Sequence, residues 1–190
     1  MAISDIRFGE WHPIDELKTI IDEHISIGDI HSEENNRESN DDAKKFYEEI
    51  LPIFYYAKEC GASDVYYVDD TTQENSFDGK IKIDEECYKT GYSMLPNISM
   101  TQDDFREKIT KCIQNAVEKK IEKSQKQAGK YEGFHLILTL DDTNLKFANK
   151  NDVYHGISSY WTLTNIAPFE KIVLYWKTNT GFPEKIIAID

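Results

Sequence analysis

The sequence predicts an α/β or α+β fold, in which a single mixed β-sheet of about five strands has helices packed on it. Two patterns predict the elements: apolar residues at helical spacing, and short runs of β-branched or aromatic residues. A third observation, the alternation of strand, helix and strand after Phe105, indicates crossover connections onto a sheet. The length of 190 residues and the hydrophobic content of 39% suit a single domain over residues 1–190.

Four segments show the three- and four-residue spacing of amphipathic helices. They run from Ile14 to Gly28, from Ser39–Asp42 to Gly61, from Phe105 to about Ala128, and from Asp152 to Leu163. Pro52 is expected to kink or split the second helix, because proline lacks the backbone N–H that a helix interior needs. The third helix has the clearest apolar stripe, with Ile109 and Ile113 near its centre.

Five shorter segments have the composition of β-strands. They are Val65–Val68, Lys80–Asp84, Phe134–Leu140, Ile172–Trp176 and Ile186–Ile189. The first two are predicted to pair as a hairpin with a long polar connection. Lys80–Asp84 alternates polar and apolar residues, as a half-exposed strand does.

Composition favours a protein of the reducing cytoplasm without a membrane partner. The first ten residues lack the apolar core of a secretion signal, and no apolar run approaches the ~20 residues that cross a bilayer. The three cysteines, Cys60, Cys87 and Cys112, are odd in number and form no Cys-x-x-Cys pair. We therefore expect neither a disulfide framework, nor a metal site, nor a cofactor.

The negative charge is concentrated in the first half of the chain. Residues 1–105 carry 25 acidic and 9 basic side chains, a net charge of −16, whereas residues 106–190 carry 10 and 13, a net charge of +3. Such a distribution predicts an acidic face that binds a basic protein, including one that itself binds nucleic acid. An inhibitor or immunity-type protein works in this way.

The predicted binding residues combine steering carboxylates with an aromatic anchor. Residues 29–42 are expected to form a solvated, mobile acidic loop. Tyrosine gives a large contact area at a modest entropic cost. The set is Glu33, Glu34, Glu38, Asp41, Asp42, Asp69 and Tyr66.

A metal-dependent nuclease or phosphoesterase is the alternative hypothesis. Asp70 and Asp84 end two predicted strands, and Lys120 falls at the centre of the third helix's apolar stripe. Two carboxylates and a lysine can hold Mg²⁺ or Mn²⁺ beside a phosphodiester. The element order over roughly residues 63–176 resembles the PD-(D/E)XK nucleases, which place an Asp and a Glu-x-Lys on adjacent strands before a helix.

The sequence departs from that family at its motif. Asp84-Glu85-Glu86-Cys87 stands where the Glu-x-Lys would fall, so Lys120 would have to supply the lysine from the helix. The resemblance implies nucleic acid as the substrate of this alternative. A structural subunit of a larger assembly is the third hypothesis, and the sequence favours binding over catalysis.

Overall fold

The structure, a computed structural model, confirms the predicted class: it has one mixed β-sheet together with helices. It describes residues 5–27, 45–68, 77–95, 105–127, 131–140, 158, 168–177 and 183–189. Within these ranges the sheet has seven strands in chain order, two more than the sequence predicts. The additional strands are the first and the fourth.

The bounds of the elements follow the predictions closely where both exist. The strands are β1 (Trp11–Pro13), β2 (Asp64–Tyr67), β3 (Gly79–Ile83), β4 (Glu86–Met94), β5 (Phe134–Leu140), β6 (Phe169–Lys177) and β7 (Pro183–Ile189). The helices are α1 (Ile14–Ile27), α2 (Leu51–Glu59) and α3 (Phe105–Lys126), and a π-helical turn at Phe46–Ile50 leads into α2. The predicted helix at Asp152–Leu163 and the acidic loop at 29–42 lie outside the described ranges.

The chain divides into two compact units, residues 1–92 and residues 93–190. The single domain over residues 1–190 stays a prediction.

In the first unit, each of the strands β1 to β4 pairs antiparallel with the next. Trp11 lies opposite Tyr66, Tyr66 opposite Lys80, and Lys80 opposite Lys89. Residues directly opposite each other point to the same side of a sheet, so these four side chains share one face. The other face carries the buried side chains Val65, Tyr67, Ile81 and Thr90.

Helices α1 and α2 supply the apolar partners of that buried face. α1 contacts β1 and α2, and α2 contacts β2 and β3. Leu17 and Ile21 of α1 are fully buried, as are Ile53 and Ala57 of α2. The three- and four-residue spacing in the sequence therefore corresponds to real core positions.

Pro52 lies in the first turn of α2, and the π-helical turn Phe46–Ile50 runs directly into that helix. Ile50 and Leu51 both have right-handed helical backbone angles, so the kink or split expected at Pro52 takes the form of a change of helix type just before it. The helix ends at Cys60, and Gly61 follows with a φ of 69°.

A tight turn joins β3 to β4. Ile83 pairs with Glu86, which leaves Asp84 and Glu85 as the two turn residues. Both have positive φ, 47° and 71°, as a hairpin turn matching the sheet twist requires. Asp84 therefore ends a strand as predicted, but the chain reverses at once into a strand that the sequence did not predict.

In the second unit, β5 pairs parallel with β6, and β6 pairs antiparallel with β7. All seven side chains of β5 are buried, which explains its continuous apolar composition. The parallel pair confirms the crossover predicted from strand and helix alternation. On α3 the predicted stripe is buried at Ile109, Cys112, Ile113 and Val117.

Candidate binding surface

Most of the predicted binding residues lie outside the described ranges. These residues are Glu33, Glu34, Glu38, Asp41, Asp42 and Asp69, and the predicted catalytic Asp70 is also outside. They stay predictions. The structure places the remaining three, Tyr66, Asp84 and Lys120.

Tyr66 lies on the solvent-facing side of the first unit's strands, in a cluster of rings and cations. Its ring centroid is 5.5 Å from that of Trp11, with the two planes inclined at 56°. The Nζ atom of Lys80 lies 5.1 Å from the Tyr66 centroid and 4.9 Å from the Phe77 centroid. The Nζ atom of Lys89 lies 5.7 Å from the Phe77 centroid. We call these five residues the aromatic–lysine face.

The strand register explains why rings and cations meet here. A period of two keeps Tyr66 on this side while its neighbours Val65 and Tyr67 enter the core. A lysine ammonium over an aromatic ring gains about 0.5–1 kcal/mol at an exposed site. Lys80 thus lies between two rings that come from different parts of the chain.

Lys82, next along β3 on the same side, differs from Lys80. Its Nζ atom is 2.9 Å from the Glu85 carboxylate, and its strand neighbour is Asp64. The hydrogen bond and charge of Glu85 raise the pKa of Lys82, so the ammonium stays protonated and compensated. Lys80 and Lys89 are the other two lysines on this side of β3 and β4, and both lie over aromatic rings.

A pocket of about 520 Å³ adjoins Trp11 at the edge strand β1. The residues that line this Trp11 pocket are Asp5, Arg7, Glu10, Trp11, His12, Glu16 and Ile20. Three carboxylates and one guanidinium thus line the pocket, and Nη1 of Arg7 lies 3.5 Å from Oε2 of Glu10. A cation entering the pocket would meet negative charge and an indole ring together.

Two features fix the shape of the Trp11 pocket. The buried His12 ring donates a hydrogen bond from Nε2 to the carbonyl of Arg7, at 2.7 Å. β1 is held to β2 by its register with Val65 and Tyr66. Trp11 itself is 41% exposed, the largest such exposure of a bulky apolar side chain in the described part of the chain.

The residues of the nuclease hypothesis lie in different parts of the chain. Asp84 is exposed in the β3–β4 turn of the first unit. Lys120 is half-buried on α3 in the second unit, with its Nζ atom 5.3 Å from the Tyr131 ring centroid. Among the described residues no group of three or more His, Cys, Asp or Glu could hold a metal ion. The nuclease alternative stays a prediction.

Comparison with known proteins gives no relative: no family model, no curated protein and no solved structure matches this chain. In the ranges that the structure describes, no helix is both long enough and apolar enough to cross a membrane.

The sequence alone indicates little of this surface. Tyr66 is among the predicted binding residues, but Trp11, Lys80 and Lys89 are not. The alternation in Lys80–Asp84 placed both lysines of β3 on one side, yet it could not show which rings lie opposite them. Trp11 was missed because β1 has only three residues, too few for a periodic pattern.

The three thiols offer a direct test of burial in the two units. Cys87 is exposed, Cys60 is half-buried and Cys112 is buried, and this burial raises the pKa of the Cys112 thiol despite the opposing charge of Lys119. Because the thiolate is the reactive form, we expect iodoacetamide to modify Cys87 first and Cys112 last, with rates at least about tenfold apart. Peptide mass spectrometry over a time course measures this order. Urea-unfolded protein should lose the difference, and native Cys112 reacting as fast as Cys87 would contradict it.

Proposed function

We propose that this protein binds another macromolecule and that its partner is a basic protein. The observation that carries the proposal is the Trp11 pocket, which is lined by an exposed indole and three carboxylates. Tryptophan is among the residues that contribute most to protein interfaces. Its ring and the carboxylates together fit a lysine or arginine side chain of the partner.

Charge over a longer range supports the same partner. Residues 1–105 have a net charge of −16, and net charge of this sign attracts a basic partner before contact is made. The predicted carboxylates at Glu33, Glu34, Glu38, Asp41, Asp42 and Asp69 belong to the same stretch of chain. Steering of this kind raises association rates and weakens as salt is added.

The open edge of β1 is a poor alternative binding element. β1 has three residues and ends at Pro13, which has no N–H to donate to an added strand. We therefore expect the partner to insert a side chain at Trp11 rather than to extend the sheet. The finer form of the proposal is a cytoplasmic inhibitor or immunity-type protein that covers the basic surface of its target.

The test uses a fluorescein-labelled oligoarginine peptide as a stand-in for the basic partner. The double variant E10Q/E16Q removes two pocket carboxylates and should weaken binding about threefold to tenfold, because each exposed charge pair contributes about 0.2–1 kcal/mol. Fluorescence anisotropy at low salt measures the dissociation constant.

The matched control is E107Q/E132Q, which changes the net charge equally at exposed sites in the second unit. It should bind the peptide within about twofold of the unmodified protein, because neither side chain lines the Trp11 pocket. Equal weakening by the two double variants would show that the peptide senses net charge alone and would refute the pocket. Binding that does not weaken with added salt would refute the electrostatic mechanism.

A further inference from the structure

The docking proposal uses Trp11 of the aromatic–lysine face but none of its other four residues. Trp11, Tyr66, Lys80 and Lys89 lie opposite one another across four strands. With strands about 4.8 Å apart, this line of side chains extends roughly 14 Å across the sheet. Phe77 adds a third ring beside the two lysines.

Rings interleaved with cations match the repeating chemistry of one class of ligand. A nucleic acid strand alternates flat bases with negatively charged phosphates, and sheets that bind it stack bases on aromatic side chains and place lysines along the backbone. A duplex hides its base faces, so only a single strand can use the rings. An acidic peptide would use the lysines and leave the rings without a role.

The overall charge of −13 does not decide what binds at this face. At physiological ionic strength charges are screened over about 8 Å, so charges farther than this from the face contribute little. The Nζ atom of Lys82 pairs with Glu85, and the Nζ atoms of Lys80 and Lys89 lie over aromatic rings. A lysine that leaves a ring to meet a phosphate also uncovers that ring for a base.

We propose that the aromatic–lysine face binds single-stranded nucleic acid, with bases stacked on Tyr66 and Phe77 and phosphates paired with Lys80 and Lys89. The docking proposal uses Trp11 and the pocket carboxylates instead of these four residues. Affinity should be modest, because two lysines contact only a short stretch of strand. The logarithm of the binding constant should fall with the logarithm of salt with a slope of about −1.4, the value for two phosphates of a single strand.

The experiment measures anisotropy of a short fluorescein-labelled oligothymidylate with the full chain. K80E/K89E should weaken binding at least about tenfold. The control K119E/K123E makes the same change in net charge on exposed positions of α3 and should stay within about twofold. Thermal unfolding of each variant checks that the fold is retained, and K80Q/K89Q gives the same test without charge reversal.

Ring stacking is tested separately from charge. Tyr66→Leu keeps an apolar side chain on β2 but removes the ring, and we expect it to weaken oligothymidylate binding at least about fivefold. Polyglutamate and a duplex of the same sequence are the competing ligands, and both should compete poorly. Oligoarginine binding should persist in K80E/K89E, so this proposal and the docking proposal can fail independently.

Three results would overturn the assignment. The first is equal affinity of K80E/K89E and K119E/K123E for the oligonucleotide. The second is polyglutamate that competes as well as unlabelled oligothymidylate, which would make the face a site for acidic protein. The third is no detectable binding of oligothymidylate at low salt.

Discussion

Replacing Tyr67 with alanine is expected to lower the free energy of unfolding by about 3–5 kcal/mol, the range for removing a large buried ring. Tyr67 is fully buried, and its ring centroid lies 6.1 Å from that of Phe8. Its hydroxyl donates a hydrogen bond to the carbonyl of Ile50, at 3.1 Å, in the π-helical turn before α2. Tyr67 therefore joins β2 to the helical segment that covers it. Urea unfolding followed by circular dichroism measures the change.

Tyr67→Phe separates the hydroxyl from the ring. It keeps the buried ring but leaves the Ile50 carbonyl without this donor, so we expect a loss of about 1–3 kcal/mol. A loss in Tyr67→Ala no larger than that in Tyr67→Phe would contradict the assigned role of the ring.

The pH dependence of stability gives a second measurement on the same residue. Burial raises the pKa of the Tyr67 phenol well above its usual value near 10. The unfolded chain therefore loses this proton first. The stabilising contribution is complete below about pH 10 and is lost as the pH rises towards the folded-state pKa. Tyr67→Phe should flatten this decline, although Tyr55, whose pKa burial and the charge of Asp22 also raise, keeps part of it.

The spacing of apolar residues predicted the helices and strands whose side chains are buried continuously or at regular intervals. α3 buries Ile109, Ile113 and Val117, as the spacing of its apolar residues indicated. The seven-residue run Phe134–Leu140 is β5 with the predicted bounds. In each of these two elements many residues follow one pattern, so a single polar residue, such as Thr139 in β5, does not hide the pattern.

Periodicity failed where few residues carry the pattern. β4 alternates Tyr88 and Thr90 with Cys87 and Lys89, and it contains Gly91, so no β-branched run marks it. The turn before it places non-glycine residues at positive φ, whereas the usual sequence mark of such a turn is a glycine. Lys89 lies on β4. The neighbours of Lys89 therefore cannot be predicted from a sequence pattern that does not reveal this strand.

The candidate site depends on register, which a sequence does not state. Lys80 meets Tyr66 because the β2–β3 pairing places them opposite each other. A slip of one residue would point either side chain into the core. The sequence therefore predicts Tyr66 as a binding residue, but its acidic composition indicates carboxylates as the neighbours of Tyr66. The structure places Lys80 there instead.

Gly79→Ala is the substitution that tests this register most directly, and we expect it to destabilise the protein by about 1–3 kcal/mol, as overpacking does. A Cβ atom at Gly79 would lie 2.8 Å from the backbone oxygen of Tyr66. It would also lie 3.1 Å from Cδ1 of Ile53 and 3.2 Å from Oγ1 of Thr90. The side chain of Ile53 can move, but the Tyr66 carbonyl moves only if β2 and β3 separate. Urea unfolding measures the loss.

Ile53→Val distinguishes the backbone clash from the side-chain clash. Valine lacks Cδ1, so if Ile53 were the obstacle, the double variant G79A/I53V would be about as stable as I53V alone. We expect instead that Gly79→Ala costs nearly the same in both backgrounds, because the Tyr66 carbonyl remains in place. Gly61→Ala is the control for positive φ alone: it meets no atom within 4 Å, and a cost of about 1–2 kcal/mol is expected there.

Separation of β2 from β3 would also move Lys80 away from the Tyr66 ring. Gly79→Ala should therefore weaken oligothymidylate binding although every side chain of the aromatic–lysine face is unchanged, whereas Gly61→Ala should not.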